Sequence, residues 1–463
     1  MKTFLPAVSV ALIAIALSGC ERKTAAPSDS PNVQMIPSAP PAAPDPLTLA
    51  LAPHEGDNGA DKEIRRFQEQ VRDGINRDAA LERLGWAFVA KAHESFDPGF
   101  YKLAEACADV LESNSPGCAE GLLLRGHVFQ NLHRFKEAES LARELVAKRG
   151  LSFDHGLLGD TLMEQGRIKE AVAAYQAMVD IRPDLQSYSR VAHVRWLTGD
   201  LDGAIEMMQA AASASSPRAA DSAAWVNTRL AAFQHQSGAT EDARQTCDAA
   251  LELRPNYPPA LLLRGKLQLE QEDFDAAITD LQSAAQQNPL PEYQWALAEA
   301  MRAAGRDEEA AAVEGVLCKR GGLTDPRTLS LYLATRGENP DLAVRLAEQE
   351  LLERDDVFTH DAMAWALSAA GRIDDARPHL ERALAEGTKD ARLFFHAAVI
   401  ESRAGRFAQA EHWFTCAVAK NDLLLPSERA LLLKLPDGFA AIASDADDSS
   451  SPSGANSLSA SSR

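Results

Sequence analysis

The sequence predicts an all-α solenoid of about ten antiparallel helix pairs, and three regularities carry that reading. An alanine recurs at Ala104, Ala138, Ala171, Ala204, Ala243, Ala277, Ala310, Ala343, Ala376 and Ala410, in steps of 33 or 34 residues broken by one step of 39. Twelve residues before each alanine stands Ala92, Gly126, Gly159, Ala192, Ala231, Gly265, Ala298, Leu331, Ala364 or Ala398, small in nine of the ten. Five residues before the alanine lies a glycine in seven units: Gly99, Gly166, Gly199, Gly238, Gly305, Gly371 and Gly405. Small residues let two helix axes approach, and glycine supplies the left-handed backbone that ends a first helix. A fixed period of this length marks helix pairs that bury their apolar faces only by stacking. The apolar fraction is 46% with 6% aromatic, which favours helix over sheet.

The elements follow in chain order. Residues 1–19 read as a targeting segment: Lys2, an apolar run from Phe4 to Leu17, then small residues. That run is too short to span a bilayer as a helix. Leu17-Ser18-Gly19-Cys20 resembles a bacterial lipobox, which implies acylation of Cys20 and a lipid anchor. Glu21 after the cysteine resembles an outer-membrane sorting context. The expected location is therefore the cell envelope, on the outer membrane facing the periplasm. Residues 20–60 are rich in Pro, Ala and Ser and are expected to be a tether. A capping helix is expected within 61–84, where Ile64, Phe67 and Val71 share a face.

The repeats occupy 85–424. An apolar residue often opens each second helix (Tyr101, Phe135, Ile168, Leu201, Phe274, Ile373, Phe407), and proline closes several (Pro116, Pro183, Pro255, Pro289). The unit around Ala343 lacks the glycine, and Asn339 followed by Pro340 is its helix start. The long step contains "ASASSPRAADS", a candidate loop or hinge. Residues 425–442 are expected to cap the last pair, and the serine-rich 443–463 to be disordered.

Together these markers resemble the tetratricopeptide repeat over about residues 85–424. The resemblance implies a right-handed superhelix whose first helices line a concave groove, facing it with the second, fifth, ninth, twelfth and thirteenth residues of each unit. It also implies protein or peptide ligands in that groove. Counted from the small residue as position eight, Trp86 and Trp225 fall at two, Trp295 at five, and Trp196, His235 and Phe96 at twelve. His93, His127, His193, Tyr332 and Trp365 fall at nine. Such rings either form a binding surface, since Trp and Tyr dominate interface hot spots, or fill the space between adjacent first helices. Groove acids such as Asp160, Glu164, Glu270 and Glu299 suit a basic or amphipathic peptide from an envelope protein. The alternatives are an assembly factor for an envelope machine and a carbohydrate-binding protein, since aromatic ladders also stack on sugars.

A net charge of −20 repels a phosphate backbone, so no nucleic-acid partner is expected. No phosphate-binding loop, zinc-protease helix, nucleophile elbow or C-x-x-C is present, and the histidines lack metal-ligand spacing. No enzyme activity, metal or cofactor is expected. Asp374-Asp375 and Glu308-Glu309 stand at helix starts, where the dipole favours acids. Cys107 and Cys118 are close enough in sequence either to bridge in an oxidising compartment or to remain free thiols.

Overall fold

The computed structural model describes residues 45–74, 76–216 and 219–435. The lipobox with Cys20, the targeting segment, the stretch before Asp45 and the serine-rich tail lie outside the described residues. A short helix α1 (Pro46–Ala50) and a longer α2 (Gly59–Asp73) open the fold. Ten helix pairs follow: α3 (Arg77–Ser95) with α4 (Gly99–Asn114), α5 (Ala119–Asn131) with α6 (Phe135–Lys148), α7 (Ser152–Glu164) with α8 (Ile168–Ile181), α9 (Leu185–Leu197) with α10 (Leu201–Ser213), and α11 (Ala220–Ser237) with α12 (Thr240–Leu253). The second half repeats the plan with α13 (Pro258–Glu270) and α14 (Phe274–Gln287), α15 (Pro291–Ala303) and α16 (Asp307–Thr324), α17 (Pro326–Arg336) and α18 (Pro340–Leu351), α19 (Val357–Ala369) and α20 (Ile373–Leu384), and α21 (Ala391–Arg403) and α22 (Phe407–Val418). A 3-10 turn at Asn421–Leu423 and α23 (Pro426–Leu433) close the described chain.

The periodic residues do what their size dictates. All ten marker alanines are 0% exposed. A Cβ placed on Gly126, Gly159 or Gly265 would meet the side chain of Leu157, Tyr175 or Leu281 within 2.6 Å, so a methyl there would force that side chain to move. The turn glycines Gly166, Gly199, Gly238, Gly305, Gly371 and Gly405 all have positive φ. The turn demands this conformation even without glycine. His133 and Glu272 occupy the same place at φ 60.

Several boundaries differ from the sequence reading. The fold begins at α1, inside the expected tether, because Gln68 of α2 donates to the carbonyls of Ala50 and Ala52. Asp61 fixes the same region: its carboxylate takes His54 Nε2 at 2.9 Å and Lys91 Nζ at 2.8 Å. Burial raises its pKa, but the bonds to Lys91, His54 and the Asn58 N–H together hold it down to about 2. The first repeat helix starts at Arg77 rather than Gly85, since buried Leu81 and Leu84 extend its apolar period backwards. Gly99 is not left-handed; it opens α4, and Phe96 turns the chain at φ 55. Around Ala343 the turn uses Gly337, and Asn339 stands before Pro340 without a side-chain cap bond. The extra residues of the 39-residue step go into helix: α11 has 18 residues, where α9 and α13 have 13. That helix contributes Ala224 and Ala231 to the apolar cluster of the second half and Val226, Leu230 and Phe233 to the one before it, so it splices two cores.

Candidate protein-binding groove

Curvature follows from which helices touch. Consecutive first helices meet (α3 with α5, α5 with α7, α11 with α13, α13 with α15, α17 with α19, α19 with α21), while each second helix packs on its own first helix and the next one. The first helices are thus the inner wall and the second helices the outer.

The winding brings the second half back onto the first. The Asp355 N–H donates to the Glu164 carbonyl at 3.1 Å, and Thr388 Oγ1 donates to the Leu197 carbonyl at 2.5 Å. Lys420 Nζ donates to the Gln236 carbonyl at 2.6 Å. The partners stand 191, 191 and 184 residues apart in the chain. Each acceptor lies in the last turn of a first helix (α7, α9, α11), where carbonyls lack a partner within the helix. Donors from the later loops supply one, in register, unit after unit. Lys136 answers in the other direction, donating to the Leu352 carbonyl at 3.0 Å. Arg354 Nη2 lies 3.0 Å from His133 Nε2, and its Nε lies 3.4 Å from Glu164. Apolar groups cross the same seam: Phe358 stacks on Trp196 at 5.4 Å, and Val357 joins the apolar cluster of α5 to α11.

This closure divides the ring of aromatic residues. Trp295 is 1% exposed; its Nε1 donates to Glu299, whose carboxylate also accepts from the backbone N–H and hydroxyl of Ser427 on α23. Tyr332 is buried edge-on against Trp295, and Arg392 lies over the Trp295 ring at 5.1 Å. Trp365 is buried, stacked on His396 at 4.2 Å, and donates to Thr335. Trp196 is buried beneath Phe358, and His235 is buried against Glu270 at 2.8 Å. These five side chains offer no open face.

The remaining rings of the first five pairs lie differently. Trp225 is 39% exposed. Trp86 is half-buried beside His127 at 5.3 Å, and His93 is exposed, with Nε2 3.3 Å from Asn131 Oδ1. His193 is half-buried, 5.4 Å from Trp196. Desolvation is the main cause that pushes His127 and His193 down to about 4; the neighbouring His93 and Arg229 add to it respectively. Both imidazoles are therefore neutral at pH 7. Two further residues beside these rings are neither tryptophan nor histidine. Phe153, at position two of its unit, is 54% exposed. Arg229 sits one helical turn after Trp225, and that i, i+4 spacing was legible in the sequence.

The groove acids are already engaged. Asp160 accepts two bonds from Arg190, at 2.7 and 2.5 Å, and one from Tyr175. Glu164 faces Arg354, Glu270 faces His235, and Glu299 holds Trp295 and Ser427. Cys107 and Cys118 are free thiols, and Cys107 is buried. No group of acids, histidines and cysteines able to hold a metal ion occurs among the described residues, nor any helix long and apolar enough to cross a membrane.

The tetratricopeptide-repeat family model matches residues 123–185, 262–320 and 362–422. Those three stretches match the tetratricopeptide repeat, which as a class mediates protein–protein contacts, and the described residues form an α-solenoid of helix pairs. Among solved structures it is similar to the anaphase-promoting-complex hetero-tetramer Cut9–Hcn1, at 13% identity and a TM-score of 0.41, over 85% of this chain and 92% of that one. It is also similar to a tetratricopeptide repeat protein from Parabacteroides merdae, at 18% identity and a TM-score of 0.31, over 54% of this chain and 98% of that one. No curated protein matches in sequence.

Proposed function

We propose that this chain is a membrane-anchored interaction scaffold. It would be held in the bacterial outer membrane through a lipid on Cys20, and it would receive protein segments on the inner wall of its first five helix pairs. The observation that carries the reading is the division of that wall. On the inner wall of the second half Trp295 and Trp365 are buried, whereas Trp86, Phe153 and Trp225 keep apolar surface open beside His93, His127 and His193. Exposed aromatic groups flanked by polar ones favour a protein interface over a solvated face.

A photo-crosslinking amino acid at Trp225, with a control at the outer and 93% exposed Leu323, tests the groove in cells. A discrete adduct from position 225 alone supports the groove; equal adducts from both positions refute it. The anchor is tested in the same cells. Cys20→Ala is expected to move the protein from the membrane to the soluble fraction, and unchanged fractionation removes the lipid from the proposal.

A further inference from the structure

Arg229 stands apart from other arginines of the first helices. Arg190 meets Asp160, Arg264 meets Asp280 and Arg392 meets Glu428, while Arg403 donates to the carbonyl and hydroxyl of Ser368. Arg229 makes no hydrogen bond or ion pair among the described residues. Its guanidinium lies 5.2 Å from the centre of the Phe233 ring and 5.9 Å from that of Trp196. Desolvation lowers its pKa, and the one acid acting on it through space is Glu292, which accepts a 3.0 Å bond from Lys266. The rings give the guanidinium a cation–π contact but no hydrogen-bond acceptor, so none of its five donors is spent within the described fold.

We infer that Arg229 is an anion-reading residue and that the groove takes an acidic segment of a partner protein, a carboxylate of that segment seating on the guanidinium. Trp225, one turn away on the same face, covers the apolar residue beside it. This rests on the groove proposed above and reverses its expected polarity. The acids that suggested a basic ligand are spent on internal partners, His127 and His193 are neutral, and the unspent charge on this face is positive. The surrounding net charge of −20 repels acidic peptides at long range, so an acid that binds must do so by a local contact of this kind.

The test uses the full chain and an array of immobilised peptides in which Glu, Gln or Lys alternates with Leu and Phe. Wild type is expected to prefer Glu peptides, and Arg229→Gln to weaken that capture at least tenfold while leaving the Gln peptides unchanged. Preference for Lys peptides, or Glu capture unaltered by Arg229→Gln, overturns the inference while leaving a groove. Failure of every class overturns the groove with it. A full-length variant carrying Asp445→Asn, Asp447→Asn and Asp448→Asn separates an internal occupant: a large gain in Glu-peptide affinity there overturns the partner and assigns the site to the chain's own tail. Arg229→Met supplies a readout free of peptide. A ligand-reading arginine costs the free fold stability, so the thermal midpoint is expected to rise; a fall indicates a structural arginine and overturns the assignment.

Discussion

Trp225 and Trp295 both stand at inner-wall positions, the second and the fifth of their units, yet one is 39% and the other 1% exposed. The difference arises because Trp295 has α23 and Arg392 laid over it, whereas Trp225 lies on the earlier turn of the superhelix, where the later loops dock at the other ends of the first helices. The same residue type on the same wall thus serves as core at Trp295, and at Trp196 beneath Phe358, but as surface at Trp225.

Truncation breaks the comparison most sharply. Trp295→Ala is expected to cost about 3–5 kcal/mol, as for other large buried aromatics. Trp225→Ala is expected to stay within about 0.5 kcal/mol, as surface changes do. Urea unfolding of the two variants checks this, and comparable losses would mean that Trp225 is packed after all. It follows that Trp295 is unsuitable for probing ligand binding, because its removal damages the fold.

The turn glycines offer a second contrast of intermediate size. Gly166 and Gly371 share positive φ, but a Cβ on Gly166 would lie 2.3 Å from the Asp355 carbonyl oxygen, and one on Gly371 meets nothing within 4 Å. Alanine at either site costs about 1–2 kcal/mol of backbone strain. Gly166→Ala is expected to lose roughly 1–3 kcal/mol more through overpacking. Equal shifts in the unfolding midpoint would show that the seam between turns yields freely.

The smallest effect is expected where glycine is missing. Glu272→Gly relieves a left-handed glutamate and should gain about 0.5 kcal/mol, once the extra freedom of the unfolded chain is set against it. His133→Gly relieves the same strain but removes the group facing Arg354, so it should gain nothing. A gain at His133 as large as at Glu272 would show that the Arg354 contact adds no stability.

The helix pairs were legible because their cause is local: small residues in each helix pair, and a left-handed residue at each bend. Even the departures obeyed it, as Glu272 and His133 adopt the glycine conformation. The seam was not legible. Its contacts join loops 191 residues apart, and neither Thr388 nor Leu197 carries a mark of its partner. Gly166 and Gly371 look alike in sequence although only one is covered. The same distance hid the fate of Trp196, which reads as groove-facing until Phe358 stacks on it. Arg229 was legible beside Trp225, but its lack of an acid shows only when its neighbours' pairings are known.

An open solenoid tolerates gain or loss of a unit anywhere, since each unit consults only its neighbours. This chain is different, because the carbonyls of Glu164 and Leu197 await donors from particular later loops. One unit more or fewer between them would bring the wrong loop to every meeting point at once. The seam therefore counts the repeats, and it ties the two halves into a single cooperative body in which copy number is as constrained as any buried side chain.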